Sequence, residues 1–431
     1  MTGKALRIFL CSLAAAAIAV VTFVCASSKG QASSSAPAPP PVPVNLNESL
    51  TNALSDTASL AGFDRQVKDY MRYWGLKGVS LSVMRNDSLL FAKGYGLADE
   101  GKPMQPGNIL RLASVSKLVT ATGIMVLRES GKLRLQDKVF GPGGILNDSA
   151  RTSWIRDTNY FKITVEDLLR HKAGFSRKGG DPMFSTRWIM RQNSLKKVPD
   201  QEKLMEIQLK RPLRFIPGTA QEYSNFGYLI LSVIIEKLSG EPYETFIQDH
   251  VLHQCGCSGF RLAGNYYKDR LPGEVRYYVQ PDDEPVEEFN NSGRLVPRCY
   301  GGNNIEGLSG AGAWAASTPE LALFVASIDG RPEVPDILSW ESVAAMTEYF
   351  DPDTYSLGWN DTKPTGEWTR TGTFAGTSAL VKYFPDGECW LFVTNTSTWK
   401  GPGLARYTTE LFEKLRADYS AILPKRNLFY E

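Results

Sequence analysis

Histidine is nearly missing from this chain of 431 residues, which contains only His171, His250 and His253. None stands in a recognisable Ser–His–Asp setting, so that triad is not expected. Charge of one sign is missing too. The 48 Lys and Arg residues face 46 Asp and Glu, a formal net charge of +2. Such a balance gives no electrostatic footprint for nucleic acid or an acidic polymer. No internal repeat is visible, which excludes solenoids and arrays. Beyond the first 26 residues, no stretch is apolar enough to span a membrane.

Those first residues have a pattern of their own. Lys4 and Arg7 form a basic start, Ile8 to Val24 is almost wholly apolar, and Val24-Cys25-Ala26 offers small residues for cleavage. The pattern predicts a cleaved export signal, with an uncleaved membrane tether through 8–24 as the second choice. Either predicts a protein that is periplasmic or faces outside the cytoplasm. Residues 27–45 are rich in Ser, Ala, Pro and Gly, and the spacer they predict extends to 59. The folded domain is expected over 60–420, with 421–431 as a tail. Cysteine is sparse. Four of the six lie outside the leader: Cys255, Cys257, Cys299 and Cys389. An exported protein can pair some of them, and Cys255 or Cys257 with Cys299 is the expected bridge. The series His250, His253, Cys255, Cys257 has no standard zinc spacing, so no metal is expected.

What is present is an ordered trio of short motifs: Ser114-Val115-Ser116-Lys117, Tyr223-Ser224-Asn225 and Arg370-Thr371-Gly372. Ser-x-x-Lys alone is a weak signal, and Ser194–Lys197 and Ser397–Lys400 match it too. Context separates them. Leu112-Ala113 leads into Ser114, and an apolar-periodic run from Leu118 to Leu127 follows, stopped by Gly131. That pattern predicts a buried helix with Ser114 at its N-terminus, where free N–H groups favour developing negative charge. Lys117 lies one turn on, on the same face. The other two candidates run at once into proline-broken segments. A plainer reading of Ser114 and Lys117 is a helix cap beside a surface lysine. For Tyr223 it is a buried tyrosine with a satisfied hydroxyl, and for Arg370 a cross-strand ion pair.

The coarse pattern predicts a first helix over Phe63–Trp74 and strands Val79–Met84 and Leu89–Tyr95 around a turn at Asn86-Asp87. Helices occupy the middle, at Thr164–Leu169, Gln201–Leu209, Tyr228–Leu238 and Pro319–Ile328. Residues 255–300 read as a long variable loop. Strands return at Trp368–Thr371, Ala379–Tyr383 and Cys389–Thr394, before a closing helix from Leu404 to about Ala417. Strands at both ends and helices between them predict an α+β fold, an antiparallel sheet drawn from both termini with an inserted all-α lobe.

With these segments the chain resembles the serine β-lactamase/penicillin-binding-protein family, on the branch of class C β-lactamases, D-alanyl-D-alanine carboxypeptidases and esterases. Further segments carry the resemblance: Gly94–Ala98, Ile163–Phe175, Pro217-Gly218-Thr219 and Ser309–Gly312. The resemblance implies an acyl-enzyme on Ser114, with Lys117 and Tyr223 sharing the proton work. Which of the two is the base stays open. Asn225 would bind substrate or hold Lys117. The oxyanion would lie between the backbone N–H groups of Ser114 and Thr373. Arg370, Thr371, Gly372 and Thr373 would line the substrate site. The family's third motif usually opens with lysine or histidine. Arg370 keeps the charge and could fork onto a substrate carboxylate, but it is no base. His171 is expected to brace the fold. The implied substrate is a small molecule or peptide, either an amide of the β-lactam or D-amino-acid peptide class or, alternatively, a small ester with transfer to another acceptor. A third reading is a sensor that acylates without turnover. No cofactor is implied.

Overall fold

The structure, a computed structural model, describes residues 45–431. The leader, the tether at 8–24 and the spacer up to residue 44 lie outside the described residues.

Seven strands form one antiparallel sheet: β1 (Gly78–Arg85), β2 (Ser88–Asp99), β3 (Lys102–Pro103), β4 (Asp361–Thr362), β5 (Trp368–Phe374), β6 (Thr377–Tyr383) and β7 (Glu388–Thr394). Their order is β3-β2-β1-β7-β6-β5-β4. The two chain ends therefore meet at the centre, where Val79 of β1 sits opposite Thr394 of β7. The predicted architecture is present. The strands run longer than the pattern suggested; in β1, β6 and β7 this is because a strand buried on both faces loses its alternation.

One face of the sheet is covered by α1 (Ala61–Trp74) and α5 (Leu404–Tyr419). In α1, Phe63, Val67, Met71 and Trp74 fall on a single stripe and are buried against the sheet. Gly75 stops the helix in the left-handed region, and the N–H of Leu76 returns to Met71 O at 2.9 Å. The other face packs the helical lobe, which includes α2 (Ser116–Glu129), α3 (Asn225–Ser239) and α4 (Thr318–Ala326). Among the described residues, no helix is long and apolar enough to cross a membrane.

Three expectations are corrected. The fold begins before residue 60: residues 46–60 form short helical turns, Leu46 and Leu50 are buried, and Asn52 Nδ2 donates to Met104 O at 2.8 Å. It also continues past 420. Leu428 and Phe429 are buried, and Leu428 N donates to Leu89 O at 2.9 Å. Both segments are too short for periodicity to reveal them. The expected bridge is absent, since Cys255, Cys257, Cys299 and Cys389 are all free, buried thiols. Cys257 Sγ donates to Glu320 O, whereas Cys299 Sγ faces Tyr277 O, so the two sit against different neighbours. The segment 255–300 is irregular, as expected, yet much of it is buried, including Phe260, Val275 and Tyr277.

The β1–β2 turn carries a buried carboxyl. Asn86 and Asp87 both have positive φ, as a two-residue hairpin turn requires. Asp87 is wholly buried, and its Oδ2 accepts from Val334 N at 3.2 Å. Burial and the neighbouring Asp329 push its carboxyl up to about 8. Asp329 is itself raised by burial, while Tyr383 Oη and Arg331 N donate to it. The folded protein therefore keeps a proton that the unfolded chain releases near pH 4. This contribution to stability is full below pH 4 and is lost as pH rises toward 8, at about 1 kcal/mol per pH unit. Thermal unfolding from pH 5 to 8 should show that decline, and Asp87→Asn should flatten it. An Asp87→Asn variant with the parent's slope would refute the assignment.

Candidate active site

The chain reaches Ser114 through a strained turn. Ala113 has φ +48, and residues 113–115 make a tight 3-10 turn that runs into α2. Backbone ties hold this turn at both ends. Leu112 N donates to Trp314 O at 2.9 Å, and Trp314 N donates to Ser116 Oγ at 3.1 Å. Ser114 is half-buried at the start of the helix, between the buried Ala113 and Val115. Of the two other Ser-x-x-Lys serines, Ser194 lies exposed in a turn. The other, Ser397, has its Oγ held by Gly376 N.

Tyr223 and Asn225 arrive from the start of α3. Ser224 caps that helix, its side chain accepting from Gly227 N at 3.1 Å. Tyr223 Oη donates to Ser114 Oγ at 2.8 Å, and Lys117 Nζ lies 3.2 Å from the same oxygen. Lys117 is completely buried. Its amine donates to Asn225 Oδ1 at 2.6 Å and to Ala311 O at 2.5 Å. So Asn225 holds Lys117, one of the two roles expected of it.

The electrostatics follow from burial. Desolvation holds the Lys117 amine well below the usual lysine range, and the cation of Arg370 lowers it further; Asp181 opposes. Burial raises the Tyr223 phenol, against the pull of Arg370. A neutral amine has two N–H donors and one lone pair. Both donors are committed to pure acceptors, Asn225 Oδ1 and Ala311 O, so the lone pair is left for the Ser114 hydroxyl.

The third motif behaves differently from expectation. Arg370 is wholly buried: its Nε donates to Ser114 O at 2.7 Å, its Nη2 to the same oxygen at 2.5 Å, and Nη2 lies 3.5 Å from Tyr223 Oη. It grips the backbone of the nucleophile through Nε and Nη2, which leaves only the buried Nη1 without a partner and no fork for a substrate carboxylate; among the described residues it forms no cross-strand ion pair. Thr371 is also engaged: its N and Oγ1 both donate to Asn360 Oδ1. Gly372 abuts the nucleophile turn, where a Cβ would lie 2.3 Å from Leu112 O and 2.8 Å from Ser114 N. Thr373 follows it on β5, so its backbone runs beside the Ser114 turn; its Oγ1 donates to Gly372 O at 2.8 Å.

Sequence reasoning assigned no role to Asp181 or Asn360, which carry no motif, and none to Ala311 within the Ser309–Gly312 segment. It gave His171 a bracing role, and the structure shows what is braced. His171 is buried with φ +59, its Nδ1 accepts from Ser224 N at 3.2 Å, and its ring packs 4.4 Å from that of Tyr223. Burial, Lys117 and Arg370 all keep it neutral.

Comparison with known proteins identifies the family of the chain. The family model described as Beta-lactamase matches residues 63–412. Penicillin-binding protein 4* of Bacillus subtilis (strain 168) is 30% identical over 315 residues, which is 70% of this chain and 64% of that protein. The chain thus spans a little under two thirds of that relative. A putative D-alanyl-D-alanine carboxypeptidase of Escherichia coli (strain K12) is 24% identical over 361 residues, covering 75% of this chain and 78% of its own. Among solved structures, D-amino acid amidase from Ochrobactrum anthropi SV3 complexed with D-phenylalanine superposes with a TM-score of 0.64 at 18% identity. That match covers 84% of this chain and 99% of the amidase, a likeness of fold.

Proposed function

The chain belongs to the beta-lactamase family, and from that premise we propose that it is a serine acyl hydrolase working through an ester on Ser114. The observation that carries this reading is the placement of Ser114 Oγ, 3.2 Å from Lys117 Nζ and 2.8 Å from Tyr223 Oη. The neutral Lys117 amine takes the Ser114 proton as Oγ attacks the substrate carbonyl. Tyr223 remains a phenol and hands its proton to the leaving group. The backbone N–H groups of Ser114 and Thr373 hold the oxyanion. Water then cleaves the ester: the Tyr223 phenolate takes its proton as it attacks, and the Lys117 ammonium returns a proton to the departing Ser114 Oγ, which restores both groups.

The acyl donor is an amide or peptide of the D-amino-acid or β-lactam class, as the names of its relatives suggest. The burial of Arg370 favours donors without a free carboxylate beside the scissile bond, which brings D-amino-acid amides and small neutral esters forward. The basic, apolar leader through Ala26 supports action outside the cytoplasm.

Covalent labelling tests the nucleophile. A fluorophosphonate should modify one peptide, at Ser114, and Ser114→Ala should abolish the adduct. A folded parent protein left unmodified at Ser114 would overturn the mechanism. A panel of D-amino-acid amides, short p-nitrophenyl esters and a chromogenic cephalosporin then ranks the substrates. Turnover of amides and esters should exceed that of the carboxylate-bearing cephalosporin by about tenfold or more, since a charge-assisted contact is worth about 1.5–3 kcal/mol. Equal rates would remove the argument from Arg370.

A further inference from the structure

Asp181 lies in the irregular segment between the short helices Val165–Leu169 and Thr186–Gln192, outside all three motifs. It is firmly held. Its Oδ1 accepts from Met183 N at 2.9 Å, and its carbonyl oxygen accepts from Phe184 N at 3.0 Å. Its Oδ2 faces the other way and accepts from Asn225 Nδ2 at 2.9 Å. The backbone N of Asn225 approaches the same oxygen at 3.4 Å. The far end of the Asn225 amide, Oδ1, accepts from Lys117 Nζ.

An amide side chain has nearly the same shape in either orientation, but its two ends have opposite hydrogen-bonding character. What surrounds it decides which end points where. Both Asp181 oxygens accept, Oδ1 from Met183 N and Oδ2 from Asn225, so Asp181 draws the NH2 end of Asn225 toward itself. The oxygen end is thereby turned onto Lys117. In the reverse orientation an NH2 group would face the lysine amine, donor against donor. One of the two acceptors that fix the lone pair toward Ser114 would then be lost.

We propose that Asp181 is a positioning residue that acts through Asn225 to hold the Lys117 amine in the orientation that accepts the Ser114 proton. This rests on the reading of Lys117 as the base. Asp181 also tunes that base. The groups facing Lys117 are Arg370 from β5, the rings of Tyr223 and Tyr228 at 4.9 and 5.4 Å, and neutral His171 beyond Tyr223. Arg370 is the cation that disfavours a protonated Lys117, and Asp181 is the carboxylate that opposes it. Removing the negative charge therefore moves the titration of Lys117 to lower pH.

The test is the pH dependence of Ser114 labelling by a fluorophosphonate in the full chain. In the parent protein the rate rises with pH as Lys117 loses its proton. Asp181→Asn should move that rise down by about one pH unit. It should also lower the plateau by about tenfold, because neither end of Asn225 is then preferred by its neighbour. Asp181→Glu, which restores the charge, should return the rise to its original pH. In an Asn225→Ala background, Asp181→Asn should leave the plateau where Asn225→Ala alone puts it, because the two act in series. An Asp181→Asn protein with the parent's rise and plateau would overturn the inference, as would one that loses thermal stability without moving the rise. Failure of the parent itself to label at Ser114 would instead overturn the acyl-enzyme reading.

Discussion

Lys117→Met should slow acylation of Ser114 by about a thousandfold, the range that a positioned general base supplies. Methionine fills nearly the same volume with no proton to exchange, so the site keeps its shape. Tyr223 would still donate to Ser114 Oγ and Arg370 would still grip Ser114 O. What disappears is the one lone pair aimed at the hydroxyl. The cost in stability is small by comparison, the loss of two hydrogen bonds to Asn225 and Ala311 against removal of a buried amine. Stopped-flow labelling of parent and variant gives the ratio directly. The parent's rate should rise with pH through a midpoint far below that of ordinary lysine, since burial and Arg370 both disfavour the ammonium. That rise should be absent from Lys117→Met. A variant retaining a tenth or more of the parent's rate would transfer the role of base to Tyr223.

Gly372→Ala should be nearly as damaging without touching any group that exchanges a proton. The added methyl would meet Leu112 O, Ser114 N and Val115 N at 2.3, 2.8 and 3.0 Å. All three are backbone atoms and cannot rotate aside. Strand β5 must retreat from the nucleophile turn, carrying away Thr373 and loosening the Arg370 bonds to Ser114 O. A displacement of about 1 Å at a reacting centre costs about a hundredfold in rate. Overpacking adds about 1–3 kcal/mol of destabilisation. Gly403→Ala is the control: nothing lies within 4 Å of the added atom and its φ is ordinary. Labelling rates and melting temperatures of the two variants separate the effect. Normal labelling by Gly372→Ala would show that the contact is not tight.

The contrast between Arg370 and Lys117 explains what the sequence made legible. Lys117 was placed by local geometry, since a residue one helical turn after Ser114 must share its face. Arg370 sits on a strand, where neighbours alternate between faces. The buried set is Arg370, Gly372 and Phe374, while Thr369, Thr371 and Thr373 are half-buried. Which set turns toward Ser114 depends on how β5 packs, and its partner atom lies 256 residues away. Chain pattern gives the charge at that position but not its direction. The helices and strands of the core were readable because their apolar spacing is long enough to count. The turns at 46–60 and the final residues were not, because each offers only a few apolar side chains. Asp181 shows a different limit. An aspartate before a proline is an ordinary loop sequence, and only the fold brings it to Asn225, 44 residues on. The cysteine bridge failed for a related reason: spacing along the chain says nothing about separation in space.

The meeting of the two chain ends at the sheet's centre has a consequence for the order of events in folding. Thr394 Oγ1 donates to Gly78 O across 316 residues of chain. Strand β1 can pair with β2 as soon as both exist, but its other edge waits for β7. Until nearly the whole polypeptide is available, the buried strand edge of β1 has no partner, and Val79, Leu81 and Val83 lack half their cover. Contacts of such long sequence separation make closure slow. The helical lobe can form earlier from local contacts. Pairing of β1 with β7 thus waits for the C-terminal strands, and the third motif reaches Ser114 only when those strands are in place.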